Sequence, residues 1–189
     1  MDPRSGSTVP IPEALRASIL ERLRQFGQRD RKVLLCASVI GRRFDVGVLT
    51  ATAIRTSAEI RAALQRACRL QLIEAEDDVG HRFVFRHALT HDVVYGELLA
   101  ARTRPLHRRI ARALETSADA AVEDVAYHWW AAGDRRHGRR ANELAGDGAA
   151  AVHATGVALL HYGRALALVG TGSASYARLS EKIRRVQGA

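Results

Sequence analysis

The feature that most constrains the fold of this chain is a change of hydrophobic period within residues 82–95. Phe83 and Phe85 alternate there with side chains of the opposite face, the period-two pattern of a half-buried strand. From His87 onward the apolar residues recur every three or four positions, as in an amphipathic helix. The segment therefore predicts a short strand that packs against helices and continues directly into one.

The residues before this segment predict helices followed by one hairpin. Apolar residues recur at helical intervals between Pro12 and Leu70, and the expected boundaries are Pro12 to Gly27, Asp30 to Gly41, a short helix capped by Asp45, and a helix opened by Ser57. The period then changes to two, and the turn at 77–80 joins the two strands of the hairpin. This element order is typical of a winged helix. We assign residues 10–100 to a winged-helix domain and residues 1–9 to a disordered leader.

The residues after this domain predict further helices. Residues 101–118 are assigned to a connecting helix, predicted at about 103–116 with Pro105 in its first turn. Residues 119–189 predict helices that pack closely through small side chains, namely Gly133, Ala141, Ala145, Gly146, Ala158 and Ala165. Ala158, Tyr162 and Ala165 have the spacing of the second helix of a tetratricopeptide repeat. The Ala-Gly-Asp turn that ends at residue 134 lies about twenty residues before the equivalent point, whereas a strict tandem needs about 34. The region is therefore tetratricopeptide-like but not a strict tandem.

Five segments together resemble one region of a known family. They are Val9–Leu15, Leu34–Asp45, Phe83–Leu89, Leu106–Ala111 and Ala132–Asp134. Over about residues 9–170 the chain resembles the part that follows the ATPase module in STAND-type signalling ATPases, notably large ATP-binding LuxR-type transcriptional regulators and cyclase-linked ATPases. In such proteins a winged helix and then signal-receiving helical repeats follow the nucleotide-binding domain. The resemblance implies a mainly α, non-catalytic regulatory fragment that couples an ATPase domain, in cis or in trans, to a helical sensor or scaffold.

The sequence lacks the residues with which such an ATPase holds its nucleotide. No Gly-x-x-x-x-Gly-Lys-Ser/Thr segment occurs, so the chain has no phosphate-binding loop of its own. No Ser/His/Asp or Cys/His set has a recognisable spacing, and no catalytic residue is assigned. We expect ATP or ADP to be bound mainly by another domain, no cofactor to belong to this chain, and the chain to be a fragment or split product of a larger switch protein.

The resemblance implies a nucleotide-sensing role for His87, assisted by Arg86. In related switches a histidine near the end of the winged helix contacts the phosphate of bound ADP, and an imidazole can donate a hydrogen bond to a phosphate oxygen. The alternative is that His87 caps the following helix by bonding a backbone group. His87 and His91 also have the i, i+4 spacing of metal ligands beside Asp92, but neither the glutamate of the zinc-protease motif nor a third ligand is found, so no metal is expected.

Direct DNA binding is the strongest alternative function. The formal net charge is +9, and one predicted helix exposes residues suited to a recognition helix, namely Arg61, Gln65, Arg66 and Arg69. All but two of the 29 basic residues are arginines spread along the whole chain, which a GC-rich coding sequence also explains. The hairpin carries Glu74, Glu76, Asp77 and Asp78, which phosphates would repel. Nucleic acid is therefore the less favoured partner. A third hypothesis is a free-standing adaptor that binds proteins through its helical repeats.

Three further expectations follow from composition. No run of about 18 apolar residues and no signal-type leader is present, so a cytoplasmic location without a membrane partner is expected. Cys36 and Cys68 lie among apolar neighbours and are expected to be buried structural thiols. Trp129 and Trp130 point about 100° apart on a helix, so one is expected in the core and the other partly exposed.

Overall fold

A computed structural model describes residues 12–98 and 100–188 of the chain. These residues are mainly helical, with ten helices and one small antiparallel sheet. They form two compact units, one ending at Leu106 and the other beginning at His107. The leader predicted over residues 1–9 lies outside the described residues. Among the helices that are described, none combines the length and apolar character needed to cross a membrane.

The first unit contains five helices and a three-stranded sheet before the chain enters its sixth helix. The elements are α1 Glu13–Arg24, α2 Gln28–Ile40, β1 Arg43–Asp45, α3 Val46–Thr52, α4 Ser57–Arg69, β2 Ile73–Ala75, β3 Arg82–Phe85 and α5 Ala88–Gly96. The strand order is β1-β3-β2, and both pairings are antiparallel. Sequence analysis predicted the β2–β3 hairpin but missed β1, because three residues are too short to show a strand period.

The cap geometry corrects the predicted start of α2 and confirms those of α3 and α4. The N-cap of α2 is Gly27, and Asp30 lies in the first turn, where a carboxylate is favoured by the helix dipole. Helix α4 begins at Ser57 as predicted, and its N-cap Thr56 forms a reciprocal capping box with Glu59. Asp45 caps α3 as predicted, since its carboxylate accepts the Val48 N–H at 3.1 Å.

The sheet packs its aromatic side chains on one face. Phe44 pairs with Phe83 across β1 and β3, and Ile73 pairs with Phe85 across β2 and β3. The Phe44 ring lies 6.0 Å from the Phe83 ring and 5.8 Å from the Phe85 ring, centroid to centroid. The predicted alternation in residues 82–86 is confirmed on this face. The helices of this unit contribute further buried apolar side chains, which include Ile19, Leu23, Leu34, Leu49, Ile60 and Leu64.

The second unit continues as a series of helices. The helices are α6 Ala100–Glu115, α7 Val122–Ala131, α8 Arg135–Ala151, α9 Thr155–Leu166 and α10 Ala174–Gln187. The boundary between the two units falls within α6. Pro105 lies inside α6 and not in its first turn, because the helix begins at Ala100, earlier than predicted. The proline has no N–H, so it removes one hydrogen bond from that helix.

Helices α7 to α10 pack in chain order, each against the next. Gly146 of α8 lies so close to α9 that an added Cβ would be 2.5 Å from the Tyr162 ring. Ala145, Ala158 and Ala165 are also buried, as predicted for residues at helix contacts. Gly133 is an exception among the predicted contact residues. It is exposed in the turn before α8, and its φ of 69° favours glycine there.

A buried asparagine ties three of these helices together. Asn142 of α8 donates from Nδ2 to the carbonyl oxygens of Ala126 and Gly138, both at 2.9 Å. Its Oδ1 lies 3.0 Å from Nδ1 of His161 in α9, which therefore donates to it. The Asn142 side chain is fully buried, and all its hydrogen-bonding atoms are used within the unit. It fixes the relative positions of α7, α8 and α9.

Replacing Gly146 with alanine is expected to destabilise the helical unit by about 1–3 kcal/mol, because the new methyl group overlaps the Tyr162 ring. Gly148→Ala on the same helix is the matched control. Its Cβ meets nothing within 4 Å, so a neutral or stabilising effect of up to about 1 kcal/mol is expected. Urea unfolding followed by tryptophan fluorescence measures both, since both tryptophans lie in α7. Equal effects would contradict the close approach of α8 and α9.

Candidate functional site

The junction between β3 and α5 fixes the backbone around the nucleotide-sensing candidates. The Arg86 N–H donates to the Leu72 carbonyl oxygen at 3.1 Å, which holds the end of the strand. His87 is the N-cap of α5, with the extended backbone angles φ −134° and ψ 147°. Its carbonyl oxygen accepts the N–H groups of Thr90 and His91 at 3.0 and 3.2 Å. The position of His87 is therefore set by its main chain.

The side chains of Arg86 and His87 are both exposed. The His87 imidazole makes no cap hydrogen bond within α5, so side-chain capping, the alternative role, is not observed for this helix as described. The first N–H groups of α5 lie directly after His87, and a helix N-terminus favours a negative charge nearby. This end of the sheet thus presents an imidazole and a guanidinium beside a helix N-terminus.

Sequence reasoning missed a second arginine at this end of the sheet. Arg42 precedes β1, and its carbonyl oxygen accepts the Phe85 N–H at 2.9 Å, so its main chain lies beside the end of β3. The Arg42 side chain is exposed, and neither it nor Arg86 forms an ion pair with another described residue. The sequence could have indicated the position of Arg42 only through the adjacent strand β1, and its three residues are too few to show a strand period.

His91 is used differently from His87. It is buried, and its Nε2 donates to the Ser38 carbonyl oxygen of α2 at 2.9 Å. Its Nδ1 lies 3.1 Å from a carboxylate oxygen of Asp92, and its ring stands edge-on to Phe85 with the centroids 5.3 Å apart. His91 therefore joins α5 to α2 and to the sheet. The i, i+4 pair that resembled metal ligands is divided between an exposed and a buried environment.

The candidate DNA-contact residues on α4 fall into two groups. Arg61, Gln65 and Arg69 are exposed at positions i, i+4 and i+8, which places them on one face of the helix. Arg66 instead forms an ion pair with Asp30 of α2 at 2.6 Å. Three of the four predicted residues therefore remain available on one surface, and the fourth links α4 to α2.

The acidic residues of the hairpin are partly occupied by neighbouring groups. Glu76 pairs with Arg43 of β1 at 2.6 Å. The two carboxylate oxygens of Asp77 accept the N–H groups of His81 and Arg82 at 2.8 and 3.1 Å, which closes the turn. Glu74 and Asp78 are exposed. The hairpin thus presents a mixture of paired and free carboxylates.

The second unit carries an ionic cluster between α8 and α10. The Glu143 carboxylate accepts two hydrogen bonds from Arg178, each 2.9 Å, and lies 3.0 Å from Nζ of Lys182. Lys182 also contacts Asp147 at 2.7 Å, and the Tyr162 hydroxyl donates to Asp147 at 2.8 Å. Hydrogen bonds from Arg178 lower the pKa of Glu143 to about 2, and burial raises the pKa of Tyr162.

The tryptophans and cysteines occupy unequal environments. Trp129 is in the core, and its Nε1 donates to Glu115 of α6 at 2.7 Å. Trp130 is half-buried beneath the Arg164 guanidinium, 4.8 Å from the ring centroid, which confirms the predicted division. Cys36 is buried, but Cys68 is only half-buried, and desolvation raises the pKa of its thiol. The prediction that both thiols are buried is therefore correct for Cys36 alone.

Comparisons with protein-family models, curated proteins and solved structures find no match to this chain.

Glu143→Gln is expected to lower the free energy of unfolding at pH 7 by about 1–3 kcal/mol, because an amide cannot replace the charged acceptor of Arg178 and Lys182. The folded pKa of about 2 lies below the ordinary 4.5, so this stabilisation is present above pH 4.5 and is lost as the pH falls towards 2. Urea unfolding across that range should show a flatter pH dependence for the variant.

Glu181→Gln is the matched control on α10. Glu181 forms exposed ion pairs with Arg184 and Arg185, which are expected to contribute at most about 1 kcal/mol. An equal loss of stability in both variants would show that the cluster has no special role in fixing α10.

Proposed function

We propose that this chain is a non-catalytic regulatory and interaction module of a STAND-type signalling ATPase or transcriptional regulator. In this role a winged-helix unit and the start of a tetratricopeptide-like array connect a nucleotide-binding domain, supplied in cis or in trans, to a helical sensor or scaffold. The observation that carries the proposal is the exposed, cationic junction between β3 and α5, where the main chain fixes His87 and leaves its imidazole available.

The topology of the first unit supports the winged-helix part of the proposal. Its order is α2, β1, α3, α4, β2 and β3, and β3 lies between the other two strands. A winged helix has three helices and a terminal hairpin, and a short strand after the first helix completes its sheet. In this arrangement α4 is the third helix of the domain, and the turn at residues 77–80 is the wing.

The spacing of contacts in the second unit supports the repeat part of the proposal. Glu143 contacts Arg178 and Asp147 contacts Lys182, so α8 and α10 meet through residues 35 positions apart. This separation is close to the 34-residue period of tetratricopeptide repeats. The contact of Gly146 with Tyr162 lies between the two helices of the proposed repeat, where small residues permit close packing. Protein partners would bind the surface of these helices.

The junction suits contact with a nucleotide phosphate. His87 is exposed and can donate to a phosphate oxygen, while Arg86 and Arg42 add positive charge without an acidic partner among the described residues. The chain has no phosphate-binding loop, so these groups would contact a nucleotide held by the partner domain. Movement of the module away from that domain would remove the contact and weaken retention of ADP.

His87→Ala in the full-length protein with its nucleotide-binding domain is expected to accelerate ADP release by about tenfold or more, the effect of losing one charge-assisted hydrogen bond. Release of a fluorescent ADP analogue, measured by stopped flow, provides the rate. His81→Ala is the control, because His81 is exposed in the same unit but lies in the hairpin turn. An unchanged release rate for His87→Ala would remove the nucleotide-sensing role.

The exposed face of α4 favours DNA binding as a second candidate function. Arg61, Gln65 and Arg69 share that face, and none forms an ion pair with a described residue. Against it, Arg66 is already paired with Asp30, and the hairpin retains exposed carboxylates that would lie near phosphates. We therefore favour a protein partner for the first unit. A free-standing adaptor would differ from both in having no ATPase domain encoded nearby.

The proposed module is expected to bind a short DNA duplex only weakly, with the micromolar or poorer affinity of non-specific contacts. In an electrophoretic shift at low salt, Arg61→Ala/Arg69→Ala should then behave like Arg136→Ala/Arg140→Ala, which removes the same charge from exposed positions on α8. Tight, steeply salt-dependent binding that is lost only in the α4 variant would instead establish DNA binding through α4.

A further inference from the structure

Two buried histidines form a hydrogen bond between α6 and α7. His107 of α6 and His128 of α7 are both almost fully buried, and their Nδ1 atoms are 2.8 Å apart. One of these nitrogens donates and the other accepts, so at least one ring is neutral when the bond is formed. If both rings were protonated, two N–H groups would face each other. The folded pair therefore binds at most one titratable proton.

The surroundings of the pair are mainly aromatic. The Tyr127 ring stands edge-on to both imidazoles, with centroid distances of 5.7 Å to His107 and 5.1 Å to His128. The Arg164 guanidinium of α9 lies over the Tyr127 ring, 5.9 Å from its centroid, and a positive charge there disfavours a second one on the pair. From α8, the neutral Asn142 binds the third buried histidine of this unit, His161.

The carboxylates of the neighbouring helices have other contacts. Glu115 of α6 accepts from Trp129, and Asp134 at the start of α8 contacts Arg108 and His137. Glu143 of α8 binds Arg178 and Lys182. Asp124 is half-buried on α7, one turn before His128, and is the carboxylate to be tested directly. The pair thus lies in a buried site where charging both rings is costly.

We propose that the His107–His128 pair makes the helical unit sensitive to protons, holding α6 against α7 at neutral pH and releasing it in mild acid. In an unfolded chain both histidines are free to protonate near pH 6.5. The folded pair accepts at most one proton, so opening takes up one or more protons as the pH falls below that value. Stability is then fully present above about pH 6.5 and declines below it.

Two carboxylates of this unit, Glu143 and Asp134, do not explain a loss of stability in this range. Hydrogen bonding to Arg178 lowers the pKa of Glu143 to about 2, and hydrogen bonds from His137 keep the pKa of Asp134 below its usual value despite an opposing effect of burial. Both pKa values lie below the ordinary carboxyl values of 4.5 and 3.8, so their effects are separated from that of the pair. His137 and His153 are exposed, and His161 is buried in its bond to Asn142.

The test is urea unfolding of the full chain between pH 7.5 and pH 5.0, followed by tryptophan fluorescence, which reports on α7. For each proton taken up, the unfolding equilibrium constant should rise about tenfold per pH unit. The double variant His107→Asn/His128→Asn retains hydrogen-bond donors and acceptors at the Nδ1 positions. We expect the pH dependence of its unfolding equilibrium constant to correspond to the uptake of fewer protons than that of the wild type, by about one or more. His153→Asn, an exposed control in the same unit, should retain the wild-type slope.

The same slope in the wild type and the double variant would overturn the proposal, as would a stability that does not change between pH 7.5 and 5.0. Loss of the slope in Asp124→Asn would also overturn it, because the carboxylate would then be responsible. If the double variant fails to fold, side-chain ¹⁵N NMR of the wild-type histidines decides the matter. The proposal requires that the two rings are not both protonated in the folded state, and titration of both near pH 6.5 without opening would exclude it.

Discussion

The central strand β3 determines the arrangement of the first unit. Its backbone pairs with β1 on one side and β2 on the other, so all sheet hydrogen bonding passes through these four residues. Phe85 is fully buried at its end, against the rings of Phe44 and His91. His91 in turn binds the Ser38 carbonyl oxygen of α2. This one strand thereby fixes the sheet, the start of α5 and the packing of α5 on α2. A shift in its pairing register would displace all three.

The helices of the second unit pack in a different way, through small residues combined with buried polar groups. Gly146 allows α8 and α9 to approach closely, and the space between helices is then too narrow for large apolar side chains on both surfaces. Asn142 supplies hydrogen bonds from α8 to α7 and α9, and His107 and His128 join α6 to α7. Among the described residues no buried side-chain nitrogen or oxygen lacks a partner. Such a network specifies one arrangement of the helices, because any shift leaves a buried polar group unsatisfied.

The predictability of these features follows from the range of the interactions involved. Helix periods, the Asp45 cap and the alternation of Phe83 and Phe85 are local patterns, and the sequence revealed them. Strand β1 exists because it pairs with β3, about forty residues later, and its three residues carry no period of their own. Arg42 was missed as a site residue for the same reason. The contact of His107 with His128 joins two consecutive helices through residues 21 positions apart, and the sequence pattern around one histidine does not indicate the other as its partner.

The distribution of arginines explains why the high positive charge does not by itself define a nucleic-acid surface. Arg43, Arg66 and Arg178 each contact a carboxylate on another element, so their charge is neutralised locally and they help to orient those elements. Exposed pairs contribute little stability, but they remove arginines from the set available to a phosphate. No described carboxylate pairs with Arg42 or Arg86 near His87, nor with Arg61 or Arg69 of α4. Arg86 differs from the α4 arginines because it adjoins a helix N-terminus, which favours a negative charge, and the proposed phosphate contact depends on this local arrangement.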